Sequence, residues 1–422
     1  MSSYVKVLSL IIPRSKFLLG SCVFLVRLIR WSVKRNIKLA YFLSFAFHSW
    51  FWMGNWIFYY LTFGGYAAVA VLDSGAYMAG LLFEIPTGVF ADKVGKKKAL
   101  MIAFLCAGLG NILMGFSTSF WMMALSLWIL VNGGGAFYSG TMDALLYDSL
   151  KVLKLEDQYD KKIGKLNAFR LWSMAVCAVI GGFAYTLSPS LPLILNGIVT
   201  LIGFVACFWL VEPPIDTDKY KITSFFEQNT LGIKTLFTGD YMKRLSLFLI
   251  ATGSLCIVIY NLLDDLLAVE YGYSPMSISI LFAIACLIAG FASMYFPHIK
   301  IKWDTRKTLI ISMVLMAVAL MISPFIGMLV SGGVLMFRVI LEVVFENVSS
   351  VAINKKIESN IRATTLSSLS LLQSVPYAIG GSFVGVAVLA AGGARNFALY
   401  FGLVLVIVAV VLGVRLPRST DS

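Results

Sequence analysis

Arg338, Glu342 and Glu346 recur every fourth position in a long apolar run that holds no other charge. That spacing places them on one face of a helix. If the run crosses a bilayer from about residue 329, at ~1.5 Å per residue Arg338 lies roughly 14 Å deep, Glu342 about 20 Å and Glu346 about 26 Å. Ionisable groups at such depth are expensive and usually functional. Arg338 and Glu342, one turn apart, are expected to pair and so hold Glu342 ionised. Glu346 has only a like charge beside it, and a like charge and a low dielectric both penalise an ionised carboxylate. Glu346 is therefore the expected proton carrier. The bland alternative is a structural Arg338–Glu342 pair with Glu346 in a wet vestibule.

Other polar stripes sit in apolar runs. His48, Trp52, Asn55, Trp56 and Tyr59 follow helical spacing, as do Trp128, Asn132, Gly135, Ser139 and Asp143. Ser254, Asn261 and Asp265 form a third stripe, and Arg338, Glu342, Glu346 and Ser349 the fourth. Trp52, Trp56, Tyr59, Trp128 and Tyr138 would supply a stacking surface for an organic solute. Asp143 is a second candidate for proton coupling; its alternative is an interfacial pair with Arg170. His48 is a third, although a lone histidine is more often a hydrogen-bonded core residue. Asp73 is expected to line an outer vestibule. Asp264 and Asp265 are expected near a span end, either solvated or attracting a cationic solute.

These residues need a scaffold that is overwhelmingly apolar. Hydrophobic residues make up 59% of the 422 and charged ones 13%, against about 25% charged in a soluble domain. The chain divides into about twelve apolar runs, near 39–63, 66–90, 99–117, 120–147, 166–187, 191–211, 243–267, 276–297, 307–325, 328–353, 365–391 and 396–415. Each approaches the ~20 residues that span hydrocarbon. Only helices and closed barrels satisfy their backbone in lipid, and these runs are too long for barrel strands. The expected fold class is an all-α membrane protein with twelve transmembrane helices. Runs three, six, nine and twelve carry almost no ionisable side chain.

Lysine and arginine concentrate in alternate loops: Lys93 and Lys96 to Lys98 after the second run, and Lys151, Lys154, Lys161, Lys162 and Lys165 after the fourth. The opposite loops carry only Arg395. Both termini are expected in the cytoplasm of a protein in the cell (inner) membrane. The net charge of +13 then reflects topology and anionic lipid headgroups. Dispersed over short loops, it argues against nucleic-acid binding.

Between the second and third runs stands Glu84-Ile-Pro86-Thr-Gly88-Val-Phe-Ala-Asp92-Lys93-Val-Gly95-Lys96-Lys97-Lys98. Gly88, Asp92, Lys93, Gly95, Lys96 and Lys97 resemble the signature loop of the major facilitator superfamily, Gly-x-x-x-Asp-Arg/Lys-x-Gly-Arg/Lys-Arg/Lys. Glu84-x-Pro86 resembles a bacterial branch that includes atypical tetracycline and macrolide exporters. The resemblance implies two six-helix pseudo-repeats, alternating access, and a central cavity lined by helices 1, 4, 7 and 10, the four that carry the polar stripes. It also implies that Asp92 latches onto the amino end of helix 11 at Arg362-Ala-Thr364-Thr365, where free N–H groups and the helix dipole favour an anion. Lys96 and Lys97 would belong to the same cytoplasmic gate. The superfamily's antiporters often carry Gly-Pro-x-x-Gly-Gly in helix 5; here the place reads Cys177-Ala178-Val-Ile-Gly181-Gly182.

A segment of residues 1–37 is expected to form an interfacial helix or a disordered tail. The six-helix halves are expected at 38–212 and 242–422, joined by a cytoplasmic linker at 213–241. A shift of 210 residues supports the repeat: Ala79-Gly80 maps onto Ala289-Gly290, Lys97 onto Lys307 and Leu100 onto Ile310. Cys22, Cys106, Cys177, Cys207, Cys256 and Cys286 stand singly and read as small buried hydrophobes, not metal ligands. No phosphate-binding loop, zinc spacing or Ser/His/Asp set occurs in a soluble segment, so no cofactor or enzymatic activity is expected. The leading reading is a monomeric proton-coupled exporter of amphipathic organic solutes or drugs. A proton-coupled importer of a nutrient, peptide or metal chelate, and a non-transporting membrane sensor or scaffold, stay open.

Overall fold

The computed structural model describes residues 33–213, 222–295, 304–354, 356–357 and 361–416. Cys22, nearly all of the segment 1–37, and the start of the linker lie outside the described residues, as does the side chain of Asp92. The described residues are nearly all helical, without a strand.

The described residues form seventeen α-helices, sixteen of which build twelve transmembrane segments. Segment 1 is α1 (33–47) and α2 (Trp56–Leu61), with the chain unwound between them. Segments 2 and 3 are α3 (Gly65–Val94) and α4 (Lys96–Gly115). Segment 4 is α5 (Phe120–Leu125), a π turn at Ser126–Val131, α6 (Asn132–Tyr138) and α7 (Thr141–Leu153). Segments 5 and 6 are α8 (Tyr159–Leu187) and α9 (Leu191–Cys207). A connecting helix, α10 (Ile222–Leu236), comes next. Segment 7 is α11 (Asp240–Val258), a π turn at Ile259–Leu263 and α12 (Asp264–Glu270). Segments 8 to 12 are α13 (Pro275–Tyr295), α14 (Thr305–Met321), α15 (Met328–Asn354), α16 (Arg362–Ala390) and α17 (Ala394–Val414). The fold is two six-helix pseudo-repeats, as the sequence implied.

Helix association in lipid depends on close packing through small residues, because lipid is as apolar as leucine. In the first half, segments 3 and 6 pack through Gly108, Gly115 and Gly197; a Cβ at Gly197 would lie 2.7 Å from the Gly108 carbonyl. Segments 9 and 12 repeat this contact in the second half, with Gly402 against Ala317. Segments 2 and 11, and 5 and 8, cross between the halves. Gly385 on segment 11 approaches the backbone at Tyr66–Ala67, and Gly182 on segment 5 approaches Ser279 on segment 8.

The two ends of the bundle differ. At the end away from the lysine loops, Asn55 Nδ2 donates to Ser279 Oγ at 3.4 Å, Trp56 Nε1 to Asp265 Oδ2 at 3.0 Å, and the Tyr377 hydroxyl to Asp73. These bonds join the halves and close that end. At the lysine end Glu84, Pro86 and Gly88 on segment 2 are exposed, and nothing lies within 4 Å of a Cβ built on Gly88.

Segment 1 departs from the sequence expectation. One continuous helix over 39–63 was expected, with His48, Trp52, Asn55, Trp56 and Tyr59 on one face. The chain unwinds at 48–55 instead. Gly181, in the place of the superfamily's helix 5 motif, admits the Phe51 carbonyl where any side chain would collide. The freed backbone is re-satisfied locally: Trp50 Nε1 donates to the Phe47 carbonyl at 3.1 Å and Asn55 Nδ2 to the Phe51 carbonyl at 3.1 Å. Buried irregular backbone at membrane depth is tolerated on those terms.

Candidate functional site: two chambers along the bundle axis

A chamber of about 290 Å³ lies at the closed end, mostly within the first half. Trp50 and Trp52 of the unwound region and Trp56 at the start of α2 line it, with Asp73 from segment 2, Asn132 from segment 4, and Asn261 and Asp265 from segment 7. A second chamber of about 460 Å³ lies in the second half, lined by Glu342, Glu346 and Ser349 from segment 10 and Gln373 from segment 11. Tyr77 and Tyr260 line both chambers and stand between them. Glu346, Ser350 and Ser370 are exposed, so the second chamber opens at the lysine end. Among the described lining residues of either chamber there is no lysine, arginine or histidine.

The expected Arg338–Glu342 pair is not formed. Arg338 is 2% exposed and pairs with Asp264 on segment 7; Nη1 donates to the Ala319 carbonyl at 3.5 Å. Spacing along one helix finds a neighbour but cannot rank it against a carboxylate on another helix. Of the two roles left open for Asp264, that of a merely solvated residue does not hold, for the same reason: its carboxylate is paired with Arg338. Among the described residues Glu342 therefore has no cation paired with it, and neither does Glu346. Glu342 is partly buried and Glu346 exposed, so Glu342 is the deeper of two unpaired carboxylates one turn apart.

The stripes divide. Trp52, Trp56, Asn132, Asn261 and Asp265 line the first chamber. His48, Asn55, Tyr59, Trp128 and Tyr138 do not. His48 is buried, with Nδ1 2.9 Å from the Ser44 carbonyl. Tyr138 stacks on Phe47 at 3.9 Å between centroids, and the Tyr59 hydroxyl donates to the Met114 carbonyl at 2.9 Å. Trp128 packs on Gly75 and donates to the Leu72 carbonyl at 2.8 Å. The π turn explains why Trp128 and Asn132 separate: it inserts a residue and rotates the helix beyond it, and Asn132 Nδ2 bonds back five positions to the Leu127 carbonyl. Asp143 stands just past the break at Ser139–Gly140 and is exposed. It forms no ion pair with Arg170 among the described residues.

The lysine loop is tied within the first half. Gly95 turns the chain at φ +99°, a conformation open to glycine. The Glu212 carboxylate accepts from the backbone N–H groups of Lys96 and Lys97, both at 2.8 Å, and so caps α4 at its positive end. Lys96 pairs with Asp148, and Lys97 Nζ donates to the Phe208 carbonyl at 2.8 Å. Arg362 donates to the carbonyls of Asn354 and Ile357. The expected Asp92 contact lies outside the described residues.

Three features of the chambers escaped the sequence reading. Asp73 lines the first chamber and accepts from Tyr377, beyond the vestibule role expected of it. Asn111 and Asn196 line the same chamber from segments 3 and 6. Neither carries a charge to mark it in the sequence, although a buried amide is also a polar group that needs partners.

The Major Facilitator Superfamily profile matches residues 38–381. An uncharacterised transporter of that type from Bacillus subtilis strain 168, YxaM, is 20% identical over 257 residues, covering 60% of this chain and 62% of its own length. The class B tetracycline resistance protein of Escherichia coli is 22% identical over 274 residues, covering 62% and 63%. The chain thus spans somewhat under two thirds of these relatives. Among solved structures, the nucleoside transporter NupG superposes with a TM-score of 0.73 at 15% identity, over 91% of this chain and 98% of its own. A bacterial homologue of the human lysosomal transporter Spinster superposes at 0.69 with 16% identity, over 92% and 97%.

Proposed function

The chain belongs to the major facilitator superfamily, and from that premise we propose that it is a proton-coupled exporter of amphipathic organic solutes. One observation carries the reading. Glu342 and Glu346 line a chamber with no basic side chain among its described lining residues, and the arginine of their own helix, Arg338, is held by Asp264. An ionised carboxylate without a counter-ion in a membrane interior is costly; gaining a proton removes the cost. A proton arrives from water at Glu346, at the open mouth, and passes to Glu342 one turn deeper. Tyr77 and Tyr260 lie between that carboxylate and the aromatic chamber, where a solute stacks on Trp52 and Trp56. Neutralising Glu342 favours the arrangement in which the second chamber is sealed, and its release favours the one described here.

The lysine end faces the cytoplasm in this reading, because basic residues concentrate in cytoplasmic loops. Asp92 latches the halves there when that end closes, and the protein works as a monomer in the cell membrane. The tetracycline resistance relatives support export.

The test is uphill transport in proteoliposomes with an imposed pH gradient, using a solute found by growth of an expressing strain on a drug panel with and without an uncoupler. Glu342→Gln should abolish proton-driven accumulation while solute exchange survives, and Glu346→Gln should slow it. Parent-like uphill transport by Glu342→Gln removes Glu342 as the coupling site. Accumulation of a panel compound inside energised cells reverses the direction, and the absence of any transport leaves a sensor or scaffold.

A further inference from the structure

The linker expected at 213–241 contains a helix, α10, and α10 is built into the second half. Its last residue, Leu236, is fully buried, and the Leu236 carbonyl accepts from Ser246 Oγ of segment 7 at 2.8 Å. One turn earlier, Gly232 meets the first turns of segment 11. A Cβ built there would lie 2.9 Å from the Thr364 carbonyl and would collide with Ser368 Oγ. Glycine is unfavourable inside a helix; here it lets two helices touch with no side chain between them. Ser368 is fully buried, whereas Leu366, Leu369 and Ser370 line the second chamber. Segment 11 thus turns one face to the chamber and another to α10.

The first half reaches the same place from the other side. Thr87 of segment 2 is buried, and its hydroxyl donates to the Ala136 carbonyl of segment 4 at 3.2 Å. The inner end of segment 2 is therefore held in the first half, while Glu84 and Gly88 beside Thr87 are exposed. α10 touches segment 2 as well as segment 11. It runs between the inner ends of segments 6 and 7, so this contact lies at the open, lysine end and joins the halves there.

We infer that α10 is a strap that holds the lysine end open. It stands on segment 11 and against segment 2, the two segments whose inner ends must approach when that end closes. Carried on segment 11, α10 would be driven into segment 2 by that approach. Closure therefore requires Gly232 to leave segment 11, and the docked strap favours the open arrangement. A short helix that docks in one state and undocks in the other biases a two-state equilibrium by that contact alone. The inference takes from the transporter reading only that the two ends open in turn. It uses neither the proton sites, nor the solute, nor the direction of transport.

The experiment measures distances between spin labels in the full chain in lipid nanodiscs. The labels are carried on p-acetylphenylalanine, which leaves cysteine chemistry free. An inner pair sits at residues 88 and 367, on the exposed inner ends of segments 2 and 11, and an outer pair at residues 62 and 391. Gly232→Leu pushes α10 off segment 11, and the ratio of short to long inner distances should rise severalfold. Gly232→Cys with Ser368→Cys pins it instead: a Cβ at 232 would lie 3.1 Å from the Ser368 Cβ, close to the ~3.5–4.5 Å of a disulfide. Oxidation should lower the ratio below the parent's, and reduction of the same sample should restore it. That reversal needs no comparison with a second fold, so the test stands even if Gly232→Leu does not fold. A ratio indifferent to oxidation, while the outer pair still varies, overturns the strap alone. A fall of the ratio in Gly232→Leu makes α10 a clamp that draws the halves together and also overturns it. Both pairs fixed in every sample overturns the alternation of the two ends, and the strap with it.

Discussion

Asp264→Asn should be the most damaging single change at the centre of the second half. Arg338 is 2% exposed, and its guanidinium has few other partners: a long bond from Nη1 to the Ala319 carbonyl and none at Nε. Asparagine at 264 removes the one negative charge, and arginine cannot release its proton. Removing one partner of a buried pair costs about 3–5 kcal/mol. At ~2–4 °C per kcal/mol for a unit of 150–250 residues, the apparent Tm should fall by roughly 6–20 °C. Arg338→Met should cost less, because the Asp264 side chain is 20% exposed and can reach water or take up a proton. Arg338→Met with Asp264→Leu removes both charges, and should regain most of the lost stability, as replaced buried pairs often do. The assay is thermal unfolding in detergent, monitored by a thiol-reactive dye at the buried Cys256 and Cys286. Glu342→Gln serves as the counter-test and should unfold like the parent. A parent-like Asp264→Asn with a strongly destabilised Glu342→Gln would return Arg338 to the partner one turn away and refute the cross-helix pairing.

Gly385→Val sets a side chain where a Cβ already lies 2.4 Å from the Tyr66 carbonyl and 2.9 Å from the Ala67 Cα. It should part segments 2 and 11 at the closed end, lengthening the distance between spin labels at residues 62 and 391 by several ångströms; an unchanged distribution refutes the glycine contact as a closure device. Gly88→Ala, which meets nothing within 4 Å, should leave that distance alone. An impermeant maleimide should label Ser117→Cys and Ser188→Cys in intact cells and spare Lys161→Cys, and labelling of the last from outside would invert the topology.

The sequence by itself determined the twelve segments, because lipid forces each apolar run of about twenty residues to satisfy its own backbone. The loop from Gly88 to Lys97 identified the superfamily, and with it the two-fold repeat that the structure shows. That Glu342 and Glu346 share one face was legible from their spacing in one apolar run; that Glu346 is the exposed member of the two was not. The helical stripes were legible only in part: Asn261 and Asp265 reach the chamber although a π turn at Ile259–Leu263 interrupts their helix, whereas the unwound stretch at 48–55 and the π turn at Ser126–Val131 accompany the loss of His48, Asn55, Tyr59 and Trp128 from it. Those interruptions arise from contacts with other segments, such as the Phe51 carbonyl at Gly181, which no periodicity within segment 1 records. Partner choice was likewise tertiary. Arg338 had a carboxylate one turn away in sequence and took another 74 residues distant, because burial and access at the crossing of segments 7 and 10 set the pair. Asn111 and Asn196 likewise came to line one chamber only because Gly108 and Gly197 let segments 3 and 6 pack closely, a contact between helices far apart in sequence.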